Sequence, residues 1–415
     1  MQKETETRMA SDTSSNLLDL LTASRTQQEC TAVLERTRNS KSGAVEIDFD
    51  KLDDVAQLVR AALETAYPDF QIPPAGFWRV LENDGIDRWD GLASARGFSS
   101  PEDLLRVAGD LAILAGACQV PTAQGWVFKG SVSGQEVKGQ TALGLALFSM
   151  FQSGVFSASP TDPLRVDVDA LLRLSEEEVS AGLALGSSVH GEWIGKFAAH
   201  LRRFGETVGM RPEVFGDKVD LRPGNLLVKA INERNAPHVE LPELFNQISD
   251  ALAPLWNGAA QEGDFILGDC WRLGEGDAET FVPLHHTVLF ITHSLIEPIV
   301  WAGIEVQGFD DVPGPSDSLH AHLFMDQGVI TLDHHADTHD GMVSVRAVTS
   351  ALLPYVAERV RSDLEADRES LPIPCLIEGG TMRAAQNLAM EKPEAFTKIQ
   401  KIISSGSVFW EPIGA

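Results

Sequence analysis

Apolar side chains recur every three to four positions along most of this chain, and only brief stretches alternate. Leu52, Val55, Leu58, Val59 and Leu63 keep the helical period behind Asp50, which is placed to cap a helix. The same period predicts helices over Leu17–Arg38, with Ser14, Ser15 or Asn16 as N-cap, and over Pro101–Cys118 and Ala142–Gln152. Gly191–Val208 is amphipathic, with Trp193, Ile194, Phe197, Leu201 and Phe204 on one side. Glu192 near its start suits the helix dipole. Ser175 and Glu178 form a capping-box pattern, and the turn Asp220–Leu227 opens a mostly helical run through Trp256. Two late helices are expected over Val343–Asp367 and Thr381–Met390. Strand signals are short. Val45, Ile47 and Phe49 alternate with Glu46 and Asp48, and Trp126–Val137 alternates weakly, as a hairpin would. No repeat and no clear linker breaks the pattern. It predicts a mainly α protein, one large helical domain over residues 17–415 with a few short β-strands, behind a polar, disordered tail at residues 1–16.

Composition narrows the partners. The chain has 415 residues, 43% of them hydrophobic, and a net charge of −27 with pI near 4.7. A surface that acidic disfavours nucleic acid and anionic membranes, whereas a small-molecule substrate remains compatible with it. Cys30, Cys118, Cys270 and Cys375 are scattered without a CxxC pair, which fits a reducing compartment and provides no disulfide or zinc framework. Neither a signal peptide nor a membrane span is visible, so a soluble cytoplasmic protein is expected. The oligomeric state is not readable.

The densest chemistry lies between Asp264 and Gly308. His286, Phe290, His293 and Glu297 fall on one helical stripe, opposite the ordinary core positions Val288, Leu295 and Ile299. Such a stripe either lines a pocket or forms a satisfied buried network, since buried ionisable groups are costly unless paired. The proline-rich connection Tyr67–Trp89 gathers Trp78, Arg79, Asp87, Arg88 and Trp89. It fits a binding wall, or else a core edge closed by tryptophans with Arg88 paired to Asp87. His320, His322, Asp333, His334, His335 and His339 have the chemistry of metal ligands, but an acidic, solvated loop accounts for them better, so no metal and no cofactor is expected. Glu378–Thr381 (EGGT) precedes a helix, where backbone N–H groups could hold an anion; a glycine turn with a threonine N-cap gives the same letters. GxxxxGK[ST], GxSxG and HExxH are absent.

A family resemblance joins these segments. YPD (Tyr67–Asp69), GIDRW (Gly85–Trp89), DPLRVD (Asp162–Asp167), RPGNL (Arg222–Leu226), GDCWR (Gly268–Arg272), VPLHH (Val282–His286), SLIEPIVWAGIEV (Ser294–Val306) and EGGT run in order along the chain. The set resembles the uracil-catabolism proteins of the ribosylurea route of pyrimidine degradation, long described as a domain of unknown function. The resemblance implies a hydrolase that splits the N-glycosidic C–N bond of a ribosylurea-like compound and releases urea. It implies Asp269 as carboxylate base or stabiliser and His285 as acid-side donor, with Glu297 beside them. Arg88, Arg222, Gly379, Gly380 and Thr381 would hold a sugar phosphate, and Trp89 and Trp271 would wall the pocket. The chain departs from the family pattern where His286 replaces a lysine, His293 replaces a tyrosine, and Gly139, Gln140 and Thr141 replace an RSEG-like motif. Those changes remove natural phosphate partners and add acid–base groups. They leave open a relative acting on another small nitrogenous metabolite, or a non-catalytic binding protein.

Overall fold

Helices account for most of the molecule because the apolar period has no other way to bury itself. The computed structural model describes residues 17–39, 45–130, 134–216, 220–232, 237–256, 261–262, 265–276, 279–332 and 338–404. The tail at 1–16 therefore lies outside the described residues, as do Asp333, His334 and His335. The principal helices are α1 (Ala23–Asn39), α2 (Leu52–Ala66), α3 (Pro101–Ala117), α4 (Gly139–Gln152), α5 (Ser187–Gly209), α6 (Leu241–Leu252), α7 (His286–Trp301), α8 (Ser318–Asp326), α9 (His339–Leu364), α10 (Arg383–Glu391) and α11 (Pro393–Ile403). Strands come only in short pairs. The alternating stretch Val45–Ile47 joins Ile330–Leu332 antiparallel, and Phe128–Lys129 joins Glu136–Val137 as the expected hairpin. Cys270–Leu273 pairs with Thr280–Pro283 and feeds the chain into α7.

Local chemistry explains most boundaries. Ser175 and Glu178 form the capping box, and Ser100 caps α3 by accepting from the Asp103 N–H. α1 starts later than expected, behind Thr22, whose hydroxyl accepts from the Arg25 N–H at 3.2 Å. Asp48, rather than Asp50, caps the short turn before α2.

The centre of the molecule is the packing of α3 on α7. α3 is buried along nearly its whole length. It approaches α7 so closely that a Cβ on Gly116 would lie 2.1 Å from Ile291 Cγ1. Pro298 sits inside α7 and deprives the Ser294 carbonyl of its helical donor. The indole N–H of Trp78 takes that carbonyl at 2.7 Å, and the Phe77 N–H donates to Ser294 Oγ at 2.9 Å. The Pro-rich connection is thereby docked on α7, with Arg79 next to Glu297.

Candidate functional site

The start of α7 is held by a carboxylate. Asp269 forms two hydrogen bonds with the Arg346 guanidinium, at 2.9 and 2.7 Å, and accepts from Trp271 Nε1 at 2.7 Å. Its Oδ2 also accepts from the His286 backbone N–H at 3.2 Å, while the Arg346 Nε donates to the Ser316 carbonyl at 3.0 Å. Burial alone raises this carboxyl, but Arg346 outweighs it and keeps Asp269 below the ordinary carboxylate value. One ion pair thus ties the first turn of α7 to the residue before Asp317. His285 occupies the sharp entry to the helix at φ 40° and ψ 40°, and its Nε2 bonds the Leu20 carbonyl at 2.8 Å.

His286 and His293, two turns apart on α7, face a cavity of about 770 Å³ bounded also by residues 75–83, the start of α4, α8 and the segment 377–390. Its size is that of a small-molecule pocket. Asp317 lies in its wall and caps α8, its carboxylate accepting from the His320 N–H at 2.8 Å and from His320 Nδ1 at 2.8 Å. With Nδ1 as donor, His320 Nε2 accepts from the Thr381 hydroxyl at 2.9 Å. His286 receives the Ser316 N–H on Nδ1 at 3.4 Å, which leaves Nε2 as the protonated nitrogen, 3.8 Å from Asp317 Oδ2. His293 is only 3% exposed, and its Nε2 has no partner. Burial pushes His286 down to about 4 and His293 down to about 3, so both imidazoles are neutral at pH 7. Burial works the other way on Asp317, but His320 and His286 more than offset it and hold the carboxyl below its usual value.

The remaining polar wall is made of ion pairs. Arg79 donates to both oxygens of Glu297, at 2.7 and 2.8 Å, and to Glu82 at 2.8 Å. Arg383 donates to Glu378 at 2.8 Å, as does the Tyr67 hydroxyl at 3.2 Å. Burial lifts the Glu297 carboxyl more than Arg79 pulls it down, to about 7. Lys138 stands exposed at the rim.

Of the residues singled out in the sequence, His286 and His293 reach the cavity directly. Glu297 meets it through Arg79, and Thr381 through His320 and then Asp317. Asp269 and Trp271 stand behind it, and His285 points to the Leu20 carbonyl. Arg222 lies elsewhere, in a buried clamp on Asp110 (2.9 and 2.6 Å), so it holds no sugar phosphate here. The Asp87–Trp89 segment closes a core edge. Asp87 caps the helix Arg88–Arg96 instead of pairing with Arg88. Arg88 donates to the Leu81, Asn83 and Ile86 carbonyls, and Trp89 packs with Trp78 and Trp301. Gly139 and Thr141 belong to the cavity wall, whereas Gln140 bonds the Val120 carbonyl at 2.7 Å.

EGGT is not a loop before a helix. Ile377–Met382 is a π-helical turn continuous with α10, so the glycine amides are inside a helix and present no anion cradle. The glycines instead permit contact with α2 and the connection after it, because a Cβ on Gly380 would meet Val59 Cγ1 at 2.7 Å and one on Gly379 would meet Ile72 Cγ2 at 3.0 Å. His320 and His322 likewise lie on a helix, α8, rather than on a loop, and His339 bonds the Arg272 carbonyl at 2.8 Å. Among the described residues no cluster of His, Cys, Asp or Glu is arranged to hold a metal ion, and no helix is long and apolar enough to cross a membrane.

Asp317, Arg383 and Lys138 were not expected in the site. The first had a readable signal, because Asp317 followed by His320 at the start of an apolar run is an N-cap pattern. Arg79 was visible on the connection, but only the fold shows that it turns toward α7. A family described as "Protein of unknown function (DUF1688)" matches residues 19–409. A Schizosaccharomyces pombe protein named "Protein urg3" is 26% identical over 425 residues, covering 97% of this chain and 100% of that protein.

Proposed function

The chain belongs to the DUF1688 family, and on that premise we propose that it is a hydrolase of pyrimidine breakdown acting on a ribosylurea-like compound. The carrying observation is that neutral His286 and the ionised Asp317 share one wall of a small-molecule cavity, with unpartnered His293 beside them. In this reading the ionised Asp317 takes a proton from water as the water oxygen bonds the anomeric carbon, while the Nε2–H of His286 holds that water beside it. Before that proton moves, the Asp317 charge stabilises the positive character that develops on the sugar as the C–N bond loosens. His293 bonds the ureido group, and the proton taken from water passes from Asp317 to the departing nitrogen, so that the group leaves as neutral urea. The 3.8 Å separation of His286 and Asp317 is loose, as catalytic contacts in empty sites commonly are. Asp269 acts through others, setting His286 by its backbone bond and Asp317 through Arg346 and Ser316.

The resemblance to uracil-catabolism proteins supplies the substrate class, and the cavity supplies the residues. Urea release from ribosylurea by the purified protein tests the proposal. Asp317→Asn keeps a good helix cap and should lower turnover by about 10²-fold or more while ligand still binds. A wild-type protein that neither binds ribosylurea nor releases urea from it would sink the reading.

A further inference from the structure

We infer that the cavity is built for an uncharged ligand bearing an amide or ureido group, and that Glu297 and Glu378 set this specificity by occupying the two arginines in its wall. The inference rests on the reading above that this cavity is where substrate sits. A phosphate or carboxylate is held by donors that are free to meet it, and a forked guanidinium is the best of them. Here the fork of Arg79 is already spent, because NH2 takes both Glu297 oxygens and NH1 takes Glu82. Arg383 gives its NH2 to one Glu378 oxygen and keeps its Nε–H without a partner. The glycine amides at 379 and 380, which could have cradled an anion, are inside a helix. Lys138, out at the rim, is the cation of the wall whose side chain has no carboxylate on it among the described residues.

What remains unmet is single and directional, one nitrogen or N–H at each position and not an open charged fork. Buried Nε2 of His293, Nδ2 of Asn83 and the lone Nε–H groups of Arg79 and Arg383 have no partners. A carbonyl oxygen can accept from Asn83 or Arg79, and an N–H can be taken by an imidazole nitrogen, so a planar amide-like group satisfies them without bringing charge. The rest of the wall is apolar, with Leu289, Phe290, Leu319 and Ile377. Moving a doubly charged phosphate there would cost its hydration with only Lys138, out at the rim, as a free-standing counter-charge. A sugar unit without phosphate, joined to a ureido nitrogen, fits both halves of the wall.

Calorimetric titration of the full-length protein with inorganic phosphate, at constant ionic strength, tests this without reference to turnover. The wild type should show no saturable binding. Glu297→Gln, which frees Arg79, should bind phosphate at least about tenfold more tightly than the wild type. Glu378→Gln, which frees Arg383, carries the same expectation if the first variant loses its fold by circular dichroism. Saturable binding to the wild type that Arg79→Gln abolishes would overturn the inference. So would folded Glu297→Gln and Glu378→Gln proteins that bind phosphate no better than the wild type. A protein that releases no urea yet gains phosphate affinity on Glu297→Gln keeps this inference and loses the hydrolase reading.

Discussion

Two polar regions lie side by side in this molecule and differ in what is left over. Around Asp269 both carboxylate oxygens are used, by Arg346, Trp271 and the His286 N–H. The Asp110 clamp is the same in kind, with Arg222 and the Val166 and Gly224 N–H groups on one carboxylate. In the cavity, by contrast, His293 keeps a nitrogen without a partner and the His286 ring stands 3.8 Å from the Asp317 carboxylate. A saturated buried network has no bond to offer a substrate, whereas an unsaturated one beside a cavity does. Closeness to a dense sequence motif therefore identifies polar residues that matter, and saturation separates scaffold from chemistry.

The comparison is broken most severely if the saturated region tolerates damage. Arg346→Met should cost about 3–5 kcal/mol of stability, because it leaves Asp269 buried without its counter-charge. Urea denaturation followed by circular dichroism reads this directly. A loss below about 1 kcal/mol, together with abolished turnover, would instead make Arg346 part of the chemistry.

Much of the fold was legible because a helix advertises itself locally. The heptad-like spacing from Leu52 to Leu63 and the capping box at Ser175 and Glu178 need no tertiary contact to be read. The site was less legible, because its chemistry depends on which neighbour a side chain meets. Asp269 and Asp317 are both acids next to histidine-containing segments, yet an arginine 77 residues away claims the first and a histidine three residues away claims the second. His285 and His286 are adjacent, and the left-handed turn at His285 sends one ring toward the Leu20 carbonyl and the other toward the cavity. EGGT failed as an anion loop for a related reason. Gly379 and Gly380 read as turn formers, and only the packing of α2 and the connection after it shows that their missing side chains make room for Val59 and Ile72.

A smaller effect sharpens the cavity side. His293 falls from 6.5 to about 3 on folding, so between those values the unfolded chain binds more protons than the folded one. Its neutral burial therefore carries no penalty above about pH 7, and stability is lost progressively as pH falls through 6.5. Between pH 7 and pH 5 the wild type should lose on the order of 2 kcal/mol more stability than His293→Leu, which has no proton to take up. His200 falls to about 4 and His286 falls similarly, so both add to the acid sensitivity of either protein and cancel in the difference. Denaturation curves at the two pH values decide it. Equal losses would mean that His293 meets solvent or a partner, and that the cavity is more nearly saturated than drawn here.

The smallest effect concerns the seam between the two regions. Trp78 closes a bond that Pro298 opens, since the proline has no N–H for the Ser294 carbonyl and the indole reaches it at 2.7 Å. Trp78→Phe should cost about 1–2 kcal/mol more than its lost contact area explains, because that carbonyl is left buried without a donor. In a Pro298→Ala background the excess should fall by about 1 kcal/mol, since the residue-298 amide can then bond the Ser294 carbonyl within α7. A double-mutant cycle by urea denaturation measures the coupling. A coupling near zero would mean that Trp78 holds Arg79 in the cavity wall by packing alone. A coupling of the expected size makes the proline of SLIEP and the tryptophan before Arg79 one device, which docks the connection carrying Arg79 onto the helix carrying Glu297.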